Sequence, residues 1–212
     1  MDIELENKLL DKLKDGSEDS DEIMEQLVLL YNKSGEPMKS VPYLQQLITN
    51  TQDADKVAHY YLTLGQSMEK SENYESAVLY YSQALSVGTK DKRVWYLIHN
   101  NLGYCLTVLG RYEEAEEFLM KAINIESRLQ NAYKNCGILS ENQGQFDGAV
   151  QFYMLAVIAN PDGQRALQHL NNLLLRHPEL QVAMDYFNEM VEKRKKSNNA
   201  GKILEEFMEK LT

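Results

Sequence analysis

The chain has 212 residues and a mass of 24.4 kDa, long enough to bury a sizeable core without a disulfide or metal staple. Its 43% hydrophobic and 25% charged residues are ordinary for a globular protein and exclude wholesale disorder and collagen-like repetition. The charge is less ordinary, because 22 Lys+Arg against 32 Asp+Glu leave a formal net of -10, a field that repels a nucleic-acid backbone unless basic residues gather into a patch.

Residues 1–20 read as an acidic helix followed by the polar linker GSEDSDE around positions 16 to 22. The first 30 residues hold ten Asp+Glu and three Lys, so most of the net negative charge lies there. Such a segment is either a solvated helix or an arm that attracts a basic partner or covers a groove. The opening MDIELENKLL is acidic where a signal peptide would be basic and apolar. No stretch approaches the roughly 18 apolar residues of a membrane span, so no membrane insertion and a cytoplasmic location are expected.

From residue 21 onward a ladder of small and aromatic residues recurs at helical spacing. It is faint over residues 21–54, where Val28, Ser40, Leu44 and Leu47 carry it and Pro37 and Pro42 are expected to interrupt the second helix. It is clear three times over residues 58–163: Gly65, Ala77, Tyr81 and Ala84 in 58–91; Gly103, Ala115, Leu119 and Ala122 in 96–129; Gly137, Ala149, Tyr153 and Ala156 in 130–163. The glycines at 103 and 137 are 34 residues apart and those at 65 and 103 are 38 apart. The four extra residues are expected near Thr89 to Arg93, in a lengthened second helix or a connecting loop. Each unit carries a turn signal between its Gly and first Ala: Glu72-Asn73-Tyr74, Gly110-Arg111-Tyr112 and Gly144-Gln145-Phe146. Each is therefore two helices around a turn, with the small residues admitting close backbone approach and aromatics filling the remaining space. Pro161 follows where a helix has to stop. Residues 164–197 repeat the ladder weakly as Asn171, Ala183, Phe187 and Met190, and residues 198–212 place Ile203, Leu204, Phe207, Met208 and Leu211 on one stripe of a capping helix.

The segments LGQSMEKSENYESAVLYYSQAL, LGYCLTVLGRYEEAEEFLMKAI and CGILSENQGQFDGAVQFYMLAV, with the closing Asn160-Pro161, resemble the tetratricopeptide repeat superfamily over residues 58–163, about half of the chain. The resemblance implies an all-α fold, a right-handed superhelix or α-α solenoid of helix-turn-helix repeats with a C-terminal cap. It also implies a concave face, built from the first helix of each unit, that receives an extended peptide or a partner's helix.

Mapping those first helices by the 3.6-residue period leaves Gln66 in one unit; Asn100, Asn101 and Tyr104 in the next; Asn131, Lys134, Asn135, Ile138 and Asn142 in the third; and Gln168, His169 and Asn172 in the fourth. Amides there can pair with a peptide backbone whatever its sequence, and Tyr104 is the expected apolar anchor beside them. Family members that bind acidic chaperone C-termini grip the terminal carboxylate with Lys, Asn and Arg on three successive first helices. Here Asn101 fits, Leu62, Gln66, Asn131 and Asn135 stand where cations would be, and Lys134 is one residue out of register, so no carboxylate clamp is expected.

No catalytic constellation emerges. His59, His99, His169 and His177 have no metal-ligand spacing or nucleophile beside them, and no phosphate-binding loop is present. Cys105 and Cys136 lack the paired spacing of a zinc site and read as buried thiols. The run from Glu192 to Lys196 is the only dense basic cluster and suits a solvated helix end. The expected function is a non-enzymatic interaction module, an adaptor or scaffold without cofactor, metal or nucleic acid, that binds a protein or peptide partner. The alternatives are a secretion-type chaperone and a self-associating assembly unit, which leaves a homo-oligomer open.

Overall fold

A computed structural model describes residues 2–16, 20–180, 184–197 and 199–211. Among them the elements are α1 (Ile3–Lys14), α2 (Ser20–Lys33), a 3-10 turn (Pro37–Ser40), α3 (Val41–Asn50), α4 (Ala54–Lys70), α5 (Tyr74–Val87) and α6 (Lys92–Val108). They continue as α7 (Tyr112–Ile125), α8 (Gln130–Asn142), α9 (Phe146–Ala159), α10 (Gln164–Arg176), a second 3-10 turn (Pro178–Leu180), α11 (Met184–Lys195) and α12 (Ala200–Leu211). The described residues contain no strand. The chain divides into two compact units, Met1–Cys105 and Leu106–Thr212, with the boundary inside α6.

The helices begin and end where local chemistry dictates. Asp53 caps α4 by accepting from the amides of Asp55 and Lys56 at 2.9 and 3.3 Å, and Asp91 caps α6 through Arg93 and Val94 at 2.8 and 3.1 Å. Four first helices end alike, with one residue in the left-handed region: Gly35, Glu72, Gly110 and Gly144, at φ 75°, 58°, 75° and 74°. After each, the next amide reaches back across the turn, from Glu36 to Tyr31 O, Asn73 to Met68 O, Arg111 to Leu106 O and Gln145 to Ser140 O, at 2.8 to 3.0 Å. Of the four, only Glu72 carries a Cβ in a conformation that L residues resist.

In the first unit α1 docks by Leu9, which is buried with Ile23, Leu27 and Tyr31, and the Tyr31 hydroxyl donates to Glu6 at 3.0 Å. The acidic N-terminal helix is thus packed on α2. Behind it Met24, Val28, Leu44, Leu47, Tyr60 and Leu64 form a second cluster joining α2, α3 and α4. The two prolines do not interrupt a helix here. Pro37 opens the 3-10 turn and Pro42 lies in the first turn of α3, where a missing amide hydrogen has no intrahelical partner to lose.

The four extra residues lie beside the expected place but in neither a lengthened second helix nor a loop. From Gly65 to the end of α5, and from Gly103 to the end of α7, the chain runs the same length, and the linkers 88–91 and 126–129 match. The addition is one more turn at the start of a first helix: α6 has 17 residues where α8 has 13.

In the second unit α8, α9 and α10 enclose a core of Ala149, Tyr153, Ala156, Leu170 and Leu173, and Phe187, Met190, Ile203, Leu204 and Phe207 extend it through α11 and α12. Met208 on the same C-terminal stripe is 38% exposed. Ala183, a rung of the faint ladder, lies outside the described residues, whereas Phe187 and Met190 on α11 are buried.

The hairpins close through ring-on-glycine contacts. A methyl group added at Gly65 would overlap the Tyr81 ring, and one at Gly137 would overlap Tyr153, both rings being fully buried. Gly65→Ala is therefore expected to cost about 1–3 kcal/mol in urea unfolding through overpacking. Gly148→Ala, whose methyl would meet Ser140 Oγ at an ordinary 3.7 Å, is expected to gain about 0.5 kcal/mol from reduced unfolded-state freedom. Glu72→Gly relieves the one strained turn and is expected to stabilise by about 0.5–1 kcal/mol in the same measurement, after the added chain entropy is subtracted.

Candidate functional site

In the first unit the faces of α2 and α4 bound an open groove over α3, with a cavity of about 350 Å³. Val28, Leu44 and Leu47 line its floor, and Glu25, Asn32, His59 and Thr63 stand around it. Leu29, also in the lining, is 55% exposed. The Tyr60 hydroxyl donates to Glu25 Oε1 at 2.5 Å, and Lys56 Nζ lies 3.9 Å from the same oxygen. Burial, the Glu25 bond and the charges of Glu25, Asp21 and Asp53 all push the Tyr60 phenol up, so it remains a donor throughout the neutral range. None of the residues lining this cavity comes from α1.

Farther along the same unit lie the first of the residues singled out by periodicity. Tyr81 donates its hydroxyl to Glu69 Oε2 at 2.7 Å, and Asn101 Nδ2 donates to that hydroxyl at 3.3 Å. Asn100 Nδ2 in turn donates to Asn101 Oδ1 at 2.9 Å. Asn100 is only 4% exposed and belongs to the interior, whereas Asn101 is half-buried with its amide engaged within the chain. Gln66 and Tyr104 are half-buried. The Tyr104 ring meets Tyr74 edge-on at 6.3 Å, and its phenol is pushed up to about 12, mainly by burial.

The second unit presents its residues differently. Asn131, Asn142, Gln168 and Asn172 are exposed, Lys134, Ile138 and His169 half-buried, and Asn135 is 3% exposed. Tyr153 donates to Glu141 Oε2 at 2.8 Å, and Arg176 pairs with the other carboxylate oxygen. Burial alone would raise Glu141, but the bonds from Arg176 and Tyr153 together hold it below the ordinary carboxylate value. His169 stacks on the Tyr153 ring at 5.2 Å with an interplanar angle of 19°. Burial first, and then the Lys134 charge, lower the proton affinity of His169 despite Glu141 nearby. The structure thus brings Lys134 and His169 into one electrostatic cluster and leaves Asn131, Asn142, Gln168 and Asn172 exposed, the last two one turn apart on α10.

The groove residues Glu25, Leu29, Asn32, His59, Tyr60 and Thr63 are absent from the set drawn by periodicity, although the register reaches them. Thr63 stands two residues before Gly65, as Asn101 stands before Gly103 and Asn135 before Gly137. Leu29 directly follows Val28, as Gln66 follows Gly65 and Tyr104 follows Gly103. An emphasis on amides passes over a leucine and a threonine in these places.

A histidine whose proton affinity is lower in the fold than in the unfolded chain binds fewer protons when folded. The associated stability is present above the ordinary imidazole value of 6.5 and is lost as the pH falls through the lower folded value. His169→Asn, which places at 169 the residue found at 101 and 135, is expected to flatten the fall of the urea midpoint between neutral pH and about pH 5. Titrations of both proteins across that range check it, and parallel curves would dismiss the effect.

Among the described residues no group of three or more His, Cys, Asp or Glu could hold a metal ion, and no helix is long and apolar enough to cross a membrane. Cys105 and Cys136 are buried free thiols, and burial raises both, Cys136 to about 12. Two cations of the basic run on α11 are paired, Lys193 with Glu206 and Lys195 with Glu192, each at 2.7 Å, and Arg194 donates to Ser197 O. Residues 58–87 and 96–128 match the family described as tetratricopeptide repeat. An uncharacterized TPR repeat-containing protein of Arabidopsis thaliana is 26% identical over 143 residues, 64% of this chain. The Hsp70-Hsp90 organizing protein of Triticum aestivum is 25% identical over 103 residues, 49% of this chain. The chain spans 17% of the length of either relative. The crystal structure of BtubC from P. vanneervenii shares the fold at a TM-score of 0.67 and 17% identity, covering 92% of this chain and 91% of that one. The ladder, the hairpins with their left-handed turns and these matches agree: residues 58–87 and 96–128 are tetratricopeptide repeats, set in a chain that shares the all-α fold of the BtubC structure.

Proposed function

We propose that the chain is a non-enzymatic interaction module, an adaptor or scaffold that holds a polypeptide partner against the faces of its first helices. The observation that carries this reading is the open groove between α2 and α4, with an apolar floor, a polar rim and an aliphatic side chain left more than half exposed. At about 350 Å³ it has the size to take in a few side chains of a bound segment. A relative named for organizing Hsp70 and Hsp90 supports a protein partner. Gln66, Asn101, Tyr104, Asn131, Lys134, Asn142, Gln168, His169 and Asn172 are the further first-helix positions assigned to that partner, the buried Asn100 and Asn135 being left to the interior, with residues 58–91, 96–129 and 130–163 as the principal repeats, 21–54 and 164–197 as degenerate ones and 198–212 as the cap. The reading includes a cytoplasmic setting and no cofactor. Self-association through the C-terminal helix is disfavoured, because Ile203, Leu204 and Phe207 are already buried in the second unit.

Affinity capture from native lysate with crosslinking and mass spectrometry identifies the partner and its position. A variant carrying Gln66→Ala, Tyr104→Ala and Asn172→Ala is expected to recover several-fold less of it. Leu79→Ser, on the second helix α5 at a residue 66% exposed, is expected to recover as much as the unaltered chain. The opposite pattern would move the partner to the second-helix face.

A further inference from the structure

The groove between α2 and α4 has a charge as well as a shape. Glu25 stands at its edge, and the hydroxyl of Tyr60, bonded to Glu25, lies within the fields of Asp21 and Asp53. Asp21 sits at the α3 end of this region, where it accepts from Asn50 Nδ2 at 2.6 Å. Asp53 caps α4. The cation facing these carboxylates is Lys56, 3.9 Å from Glu25 and with its side chain 58% exposed, so it can swing away at little cost. His59 is exposed on the rim, α3 carries no charged residue, and Lys39 on the 3-10 turn is engaged by Glu36 and Glu6.

Resting on the reading that the first-helix faces hold a polypeptide, we propose that this groove selects a partner segment with a bulky apolar side chain next to a lysine or arginine. The apolar side chain packs on Leu29 and the Val28, Leu44 and Leu47 floor, and the cation is received by Glu25, Asp21 and Asp53. Leu29 and Glu25 are one helical turn apart on α2, roughly 5–6 Å between their Cβ atoms. An extended peptide advances about 3.3 Å per residue. The cation therefore falls one or two positions from the apolar anchor. Acidic segments are repelled from the same place.

The test is selection of a displayed library of short random peptides on the full chain, followed by anisotropy measurements with the enriched peptides made synthetically. Enriched sequences are expected to pair a large apolar residue with Lys or Arg within two positions. Leu29→Ser, Glu25→Gln and Asp21→Asn all lie at exposed positions, and Leu29→Ser and Glu25→Gln are each expected to weaken binding roughly tenfold. Added salt should weaken binding to the unaltered chain more steeply than to Glu25→Gln. Enrichment of acidic or purely polar peptides would overturn this assignment and leave the wider reading standing, as would affinity indifferent to all three substitutions. A library that enriches nothing would overturn both.

Discussion

The Tyr81 ring occupies the space that a side chain at Gly65 would need, and this contact governs both the closure of its hairpin and the chemistry around it. A ring so deep must deliver its hydroxyl to a partner or lose a hydrogen bond on folding. Glu69, one turn beyond the glycine on α4, supplies that partner, and Tyr153, Gly137 and Glu141 repeat the set in the second unit. Between them in sequence, the repeat that carries Gly103 has Leu119 in the tyrosine place and Thr107 in the glutamate place, both buried. The two changes belong together. Without the phenol, a carboxylate at position 107 would be a buried charge with no hydroxyl to answer it.

The same constraint decides how much of the first-helix face remains for a ligand. Asn101 looks outward by helical period, yet its amide is engaged by Tyr81 and Asn100, and His169 in the corresponding place lies flat on Tyr153. Two places before the repeat glycine, Asn101 and His169 are thus tied to the tyrosine of the hairpin before them, whereas Thr63 in the same register lines the groove. The position just after the glycine is freer: Leu29, Gln66, Tyr104, Ile138 and Asn172 are all half-buried or exposed. Their chemistry varies from aliphatic to aromatic to amide, which is how one backbone scaffold can acquire different preferences along its length.

Much of the fold is legible in the residues themselves. Gly65, Ala77, Tyr81 and Ala84 declare a hairpin because only small residues admit that approach, and the residues seven positions after each first rung mark the turns. Gly35, seven after Val28, extends that signal to the faint first ladder, where the prolines draw attention away from it. A proline is compatible with breaking a helix or beginning one, and Pro42 is settled only by the backbone around it. Spacing reports that four residues were added between Gly65 and Gly103 but not to which element, since an extra helical turn at the start of α6 leaves every later contact in register. Burial of Asn100 and Asn135 is hidden for another reason: period assigns a face, whereas neighbours decide whether that face meets water.

The acidic excess near the N-terminus resolves into two parts with different consequences. On α1 the carboxylates ride on a helix fixed by Leu9 and by the bond from Tyr31 to Glu6, so they extend the field without closing the groove. On α2, Asp21 and Glu25 lie beside the groove, close enough to act on a bound cation directly. Long-range attraction from the first set raises encounter rates and fades with salt, whereas contact with the second set persists in the complex and discriminates among segments. In the proposed mode of binding, a composition-level imbalance becomes a directional one, steering basic polypeptides toward a groove whose floor then tests for an apolar side chain.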